Sequence, residues 1–235
     1  MTIKDDLIDK VHEFSTDLWS DIPDARVLPT VDDLTFGNSG EHLDVTILYA
    51  DIAGSTKMVD QLPDTRSAEY YKAFLHCASQ LIRRNNGEIQ AYDGDRVMAV
   101  YVGDDQANNA VKSAFEINGV VDEIINPKFQ QVYGNGHRPL KFTIGIDSGT
   151  CLAIKVGVRL AGDIAWIGAA ANIAAKLNSF DGLEHDFPIR TTSETYAKLS
   201  HDLLVNVQGE LLWSGPYNNF DPRKHYRTNG ILRLL

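Results

Sequence analysis

Basic residues are the minority charge in this chain, with 22 lysines and arginines against 32 aspartates and glutamates and a formal net charge of −10 at pH 7. Such a balance repels a polyanion, so sequence-independent binding to DNA or RNA is not expected and no nucleic-acid partner is predicted. A nucleotide that carries its own divalent cation escapes that objection. Long hydrophobic runs are also missing. No segment approaches the roughly 18 continuous apolar residues of a membrane-spanning helix, and Met1-Thr2-Ile3-Lys4-Asp5-Asp6 lacks the basic start and apolar stretch of a secretion signal. These absences predict a soluble, cytoplasmic chain with no membrane partner. Cysteine is scarce: Cys77 falls in a helix-like pattern and Cys151 in a strand-like one, without metal-site spacing between them. Internal repeats and low-complexity tracts are absent as well.

What is present suffices for one sizeable core, since 43% of the 235 residues are hydrophobic. Residues 1–43 read as a helix and connector, and 44–235 as the main domain. Leu7, Val11, Phe14 and Leu18 form an amphipathic helical stripe that Ile22-Pro23 should end, suited to packing on its own domain or on a partner chain. A buried strand over 46–50 leads through small residues into a helix over 65–85, whose Tyr70, Phe74, Cys77, Ala78 and Leu81 form the inner face. Residues 88–91 and 96–102 flank Asp93-Gly94 as a hairpin. Helical spacing then runs from Ala107 to Ile125 before Pro127. A strand over 140–147, a second hairpin strand over 151–156 after Ser148-Gly149, and a helix over 169–179 follow. Beyond Phe187 the pattern suggests a short strand, a short helix, and strands near 203–207, 211–213 and 231–235. The order β-α-β-β-α-β with additions predicts an α+β fold, helices over a mainly antiparallel sheet.

Two aspartates stand where strands meet turns. Asp51 ends the run Val45-Thr46-Ile47-Leu48-Tyr49-Ala50, and Asp95 lies in Tyr92-Asp93-Gly94-Asp95, just before Val97-Met98-Ala99-Val100-Tyr101. A lone Asp at such a place commonly caps a turn. Here the first is followed by Ala53-Gly54-Ser55-Thr56, small residues whose backbone N–H groups can approach an anion at a helix start. Carboxylates suited to hard cations beside a phosphate cradle suggest metal–nucleotide chemistry.

Residues 47–56, 93–101, Ile144-Gly145-Ile146-Asp147-Ser148-Gly149 and 166–177, taken together, resemble the class III nucleotidyl cyclase domain, in order and at its usual spacing, over residues 45–180. The resemblance implies a ferredoxin-like, palm-type core. It implies that Asp51, Asp95 and the Ile52 carbonyl hold two divalent cations, Mn²⁺ or Mg²⁺. Ala53, Gly54, Ser55 and Thr56 would wrap the β- and γ-phosphates, Asn172 would orient the ribose, and Lys176, four residues on, would meet the α-phosphate. The family normally has arginine at that last position, and lysine keeps the charge without the planar pair of donors. Family members are dimers with shared sites, which implies a homodimer in which Asp51 and Asp95 come from one chain and Asn172 and Lys176 from the other.

Three departures narrow the substrate. The two positions that read a purine base in adenylate and guanylate cyclases are Ala91 and Ala165, so the usual purine pocket is not expected. Tyr49 stands where the family usually has Phe. The combination resembles the stand-alone pyrimidine cyclases of bacterial Pycsar anti-phage systems, with UTP as first expectation, CTP as second, and a non-catalytic nucleotide sensor or a polymerase-like palm domain as rival readings. An arginine that often binds the triphosphate would fall at Ala161. Arg159 and Lys155 are nearby substitutes, and Arg223 and Lys224 weaker ones.

Overall fold

The computed structural model describes residues 2–180, 186–220 and 222–234. Helix α1 (Ile3–Thr16) begins on a capping box between Thr2 and Asp5 and buries none of its residues. It stops short of Ile22-Pro23. Asp17 turns extended, and the Asn38 side-chain amide donates to the carbonyls of Phe14 (3.1 Å) and Asp17 (2.8 Å), caring for oxygens at the helix end. Leu7, Val11 and Phe14 stay at least 50% exposed, so among the described residues α1 does not pack on its own domain.

The domain then runs β1 (Glu41–Ile52), α2 (Ser55–Gln61), α3 (Asp64–Arg84), β2 (Glu88–Asp93), β3 (Arg96–Tyr101), α4 (Gln106–Val120), a π-helical turn (Val121–Ile125), α5 (Asn126–Tyr133), β4 (Phe142–Val158), β5 (Ala161–Ile167) and α6 (Ala169–Asn178). It ends with β6 (Ile189–Thr192), the short helices α7 (Ser193–Tyr196) and α8 (His201–Leu204), β7 (Trp213–Tyr217) and β8 (His225–Thr228). Among the described residues the strands form one sheet in the order β2-β3-β1-β4-β6-β8-β7, with β5 paired to β4. Only the β4–β6 pair is parallel. The order β2-β3-β1-β4 is that of the expected βαββαβ core.

Strand β1 is covered on both faces, and its period of two divides its side chains between them. Leu48, Ala50 and Ile52 join Tyr70, Phe74 and Ala78 of α3 and Ala110 and Ala114 of α4 in one core. Val45 and Ile47 join Cys151, Ala153, Ala170 and Ala174 in a second core beneath α6. Asp51 therefore leaves the sheet on the α6 side. At Gly145 the helix lies directly on β4, since a Cβ there would run into the Ala174 carbonyl oxygen and the Asn178 amide nitrogen.

Four sequence expectations are corrected. Residues 151–156 are not a separate hairpin strand: Ser148 and Gly149 stay paired with Thr46 and Val45, and the Thr46 and Ser148 hydroxyls bond at 2.8 Å, so β4 continues to Val158 and turns only into β5. Pro127 does not end the helical stretch, because at the start of α5 its missing N–H costs nothing. Residues 203–207 and 211–213 supply an isolated Val205–Leu211 bridge and the start of β7 rather than two strands. Residues 231–234 form no strand, although the Leu232 N–H reaches the Phe115 carbonyl at 3.1 Å; Leu235 lies outside the described residues. So does the stretch 181–185 of the expected C-terminal additions, and Asp221 of the late loop.

Candidate active site

Past Ile52 the chain is held by the Ala53 N–H, which donates to the Lys141 carbonyl at 2.8 Å. Gly54 then takes a left-handed φ of 71° and opens α2 with no side-chain cap. A side chain at that angle would be strained, so the small-residue loop meets a backbone requirement. In the hairpin, Asp93 pairs with Arg96, which makes Gly94-Asp95 the tip itself, with Gly94 at φ 61°. Asp95 therefore sits in the turn rather than just past it.

The hairpin carries Asp95 to Asp51. Burial pushes the Asp51 carboxyl up to about 6, reinforced by the Asp95 carboxyl beside it and opposed by Arg96. Asp51 Oδ1 and Asp95 Oδ2 are buried without a hydrogen-bond partner. Two inward acidic oxygens left unsatisfied fit a hard cation as the missing partner. Ile52 has its side chain in the core, so only its backbone is left for the expected ligand role.

Two residues of this site were not singled out from the sequence. Arg96 reaches Asp51 Oδ2 through Nη2 at 3.2 Å and Nε at 3.4 Å, and its Nη2 also lies 3.4 Å from Ser179 Oγ at the end of α6. Tyr71 lies against Ser55, with burial and the charges of Asp95 and Asp51 raising its phenol pKa. The available signals were adjacency: Arg96 follows Asp95, and Tyr71 follows the core residue Tyr70.

Asn172 and Lys176 are exposed and share the outer face of α6, whose inner residues Ala170, Ala171, Ala174 and Leu177 are buried. Among the described residues no hydrogen bond or ion pair joins either to Asp51 or Asp95. Ala91 is exposed on β2 and Ala165 half-buried on β5, and a 3.2 Å bond from Trp166 Nε1 to Gln90 Oε1 ties the strands together next to them. The Tyr49 hydroxyl donates to Met98 Sδ at 3.1 Å, and burial raises its pKa.

The expected phosphate cations fare differently. Arg159 sits at the exposed β4–β5 tip, and Lys155 lies over the Phe36 ring at 5.0 Å. Among the described residues no hydrogen bond or ion pair joins either to the 53–56 loop. Arg223 is already engaged: its Nη1 donates to both oxygens of the fully buried Asp147, at 2.8 and 2.6 Å. Lys224 offers its carbonyl to the Ser193 N–H.

Sheet order, paired acidic residues and glycine loop together define a nucleotidyl cyclase domain. Residues 38–225 match the adenylate and guanylate cyclase catalytic domain, and the chain belongs to this class III family. It is 35% identical over its whole length, and the relative's, to a uridylate cyclase of Xanthomonas perforans, and 39% identical to one of Burkholderia cepacia over 91% of each chain. Among solved structures, the guanylyl cyclase Cya2 superposes with a TM-score of 0.65 at 23% identity, covering 82% of this chain and 94% of its own. The adenylyl cyclase CyaB from P. aeruginosa gives 0.65 at 21% identity, over 80% and 95%. The protein is thus a divalent-metal-dependent nucleotidyl cyclase, and no helix among its described residues is long and apolar enough to cross a membrane.

Proposed function

We propose that this enzyme is a uridylate cyclase, converting UTP to 3′,5′-cyclic UMP and pyrophosphate. The observation that carries the reading is the pair of alanines, Ala91 and Ala165, at the two base-reading positions, in a chain whose full-length relatives are named uridylate cyclases. A base site without those polar groups loses its means of choosing a purine. Tyr49 lends a hydroxyl beside the site.

Asp51, Asp95 and the Ile52 carbonyl would hold two Mn²⁺ or Mg²⁺ ions. Such ions, when bound, would supply a lowered pKa for the ribose 3′-hydroxyl and charge neutralisation for the triphosphate. The loop 53–56 seats the phosphates through the backbone N–H groups of Gly54, Ser55 and Thr56, the Ala53 N–H being committed to the Lys141 carbonyl; Asn172 holds the ribose so that the 3′-oxygen is in line with the α-phosphorus, and Lys176 places positive charge on the α-phosphate. Asn172 and Lys176 face away from the sheet that carries Asp51, which supports a homodimer in which each site takes its acids from one chain and these two residues from the other. By its resemblance to Pycsar cyclases, the cyclic nucleotide would serve in the cytoplasm as an alarm signal against phage.

Incubation with each of the four ribonucleoside triphosphates and Mn²⁺ or Mg²⁺ tests the reading, with pyrophosphate and cyclic product as readouts. UTP should turn over fastest. Faster turnover of CTP would make the enzyme a cytidylate cyclase, and no turnover from folded dimer would favour the nucleotide sensor. Mixing Asp51→Ala with Asn172→Ala chains should restore part of the activity; heterodimers that form and stay inactive would refute shared sites.

A further inference from the structure

A bound triphosphate requires cationic side chains beyond its metals. In this chain the usual arginine position is Ala161, and Arg223 is committed to Asp147. A cation that the fold brings to the 53–56 loop from a distant segment is Arg138, just before β4. That segment runs alongside the loop, with the Lys141 carbonyl accepting the Ala53 N–H at 2.8 Å. Arg138 Nη2 lies 3.8 Å from the point a Cβ on Gly54 would occupy, and Nη1 donates to Gln61 Oε1 at 2.8 Å. Its backbone is anchored too: the Arg138 N–H donates to the hydroxyl of the buried Tyr70 at 3.3 Å, and Tyr70 also meets His137 Nδ1 at 3.2 Å.

The guanidinium is therefore positioned at both ends, yet it makes no ion pair among the described residues. Its one side-chain partner, Gln61, is neutral. Among the described residues its Nη2 makes no hydrogen bond and lies beside Gly54, and a guanidinium fork matches two phosphate oxygens at once. Gly54 has no side chain to fill the gap between them.

We propose that Arg138 binds the terminal phosphates of the substrate, from the same chain that supplies Asp51 and Asp95. The proposal rests on the nucleotide cyclase reading of the site. It moves the missing triphosphate cation off the β4–β5 arm, where Ala161, Arg159 and Lys155 lie, to the segment that precedes β4.

Calorimetric titration with a non-cyclising α,β-imido analogue of UTP, and separately with UMP, both in Ca²⁺, tests it. Arg138→Ala should weaken the analogue about 10- to 100-fold, the range for lost charge-assisted hydrogen bonds, and UMP by less than about twofold. Arg138→Lys should recover part of the loss, since it keeps the charge without the fork. Equal analogue binding by wild type and Arg138→Ala overturns the proposal, and so does an equal loss for analogue and UMP, which marks a structural role. Wild type that binds neither overturns the uridylate cyclase reading and this proposal together. In heterodimers of Asp51→Ala and Asn172→Ala chains at subsaturating UTP, Arg138→Ala should lower the restored activity when carried by the chain that keeps Asp51; loss only when carried by the other chain refutes the same-chain assignment.

Discussion

Two aspartate–arginine pairs sit on the neighbouring strands β1 and β4, Asp51 opposite Thr143 and Asp147 opposite Ile47, and they are built to opposite specifications. Asp147 is fully buried and saturated: Arg223 donates to both of its oxygens and the Thr192 hydroxyl to one, at 2.5 Å. Asp51 is only partly covered, gives one oxygen to Arg96 at 3.2 Å, and leaves the other buried without a partner, next to an orphaned oxygen of Asp95. A carboxylate whose hydrogen bonds are complete holds structure together, whereas one left incomplete is prepared for something the chain does not itself provide.

The largest expected effect falls at the incomplete pair. Asp51→Asn or Asp95→Asn should lower cyclic nucleotide formation on the order of 10³-fold, as losses of charge stabilisation at a reacting phosphate do. The thermal midpoint in EDTA should hold or rise, because one of two adjacent acids is gone. A collapse of the midpoint would place these residues with Asp147. At the saturated pair, Arg223→Ala should destabilise the fold by about 3–5 kcal/mol in urea unfolding, since it strands a buried acid. Arg223→Ala with Asp147→Ala should cost less than Arg223→Ala alone. A stable Arg223→Ala protein with impaired UTP binding would return Arg223 to the phosphates.

His225, paired with Thr192 in the same region, sharpens the contrast through pH. Burial, then the charges of Arg190 and Arg227, lower its pKa to about 4 from 6.5. The folded protein thus takes up this proton only near pH 4, while the unfolded chain takes it up near 6.5. The stabilisation is full above about 6.5 and is lost as pH falls toward 4, by up to roughly 3 kcal/mol. His225→Gln should flatten that part of the stability profile, and an unchanged slope would locate the acid sensitivity elsewhere. The smallest effect is expected at Arg96. Arg96→Gln removes a cation that competes for Asp51 and should tighten Mn²⁺ binding a few-fold by calorimetry, about the worth of a partly exposed ion pair. Weaker Mn²⁺ binding would make Arg96 an organiser of the carboxylates instead.

The core of the fold was legible where periodicity is strong. The α3 inner face, Tyr70, Phe74 and Ala78, is buried as its spacing required, and β1 contains the expected buried run. Sequence patterning failed at Ser148-Gly149, whose turn-like composition is overruled by pairing to β1, a contact between residues about a hundred positions apart. It failed again at Pro127, where position within a helix decides what a proline does. In the candidate site the two aspartates and the glycine loop could be read because strand-end acids and small residues leave local marks. The commitment of Arg223, expected only as a weaker phosphate candidate, and the place of Arg138 could not. Both are basic residues in loops, and only the fold commits one to Asp147 and brings the other to Gly54.

The contact at Gly145 has a mechanical meaning for the enzyme. Because helix backbone rests on strand backbone there, the height of α6 above the sheet is set by a missing methyl group. A Gly145→Ala substitution would lever the whole helix outward, shifting Asn172 and Lys176 as one rigid body while leaving every side chain that touches substrate unaltered in identity. On the roles proposed for Asn172 and Lys176, alignment of the ribose and the α-phosphate would thereby be gauged by a residue assigned to neither.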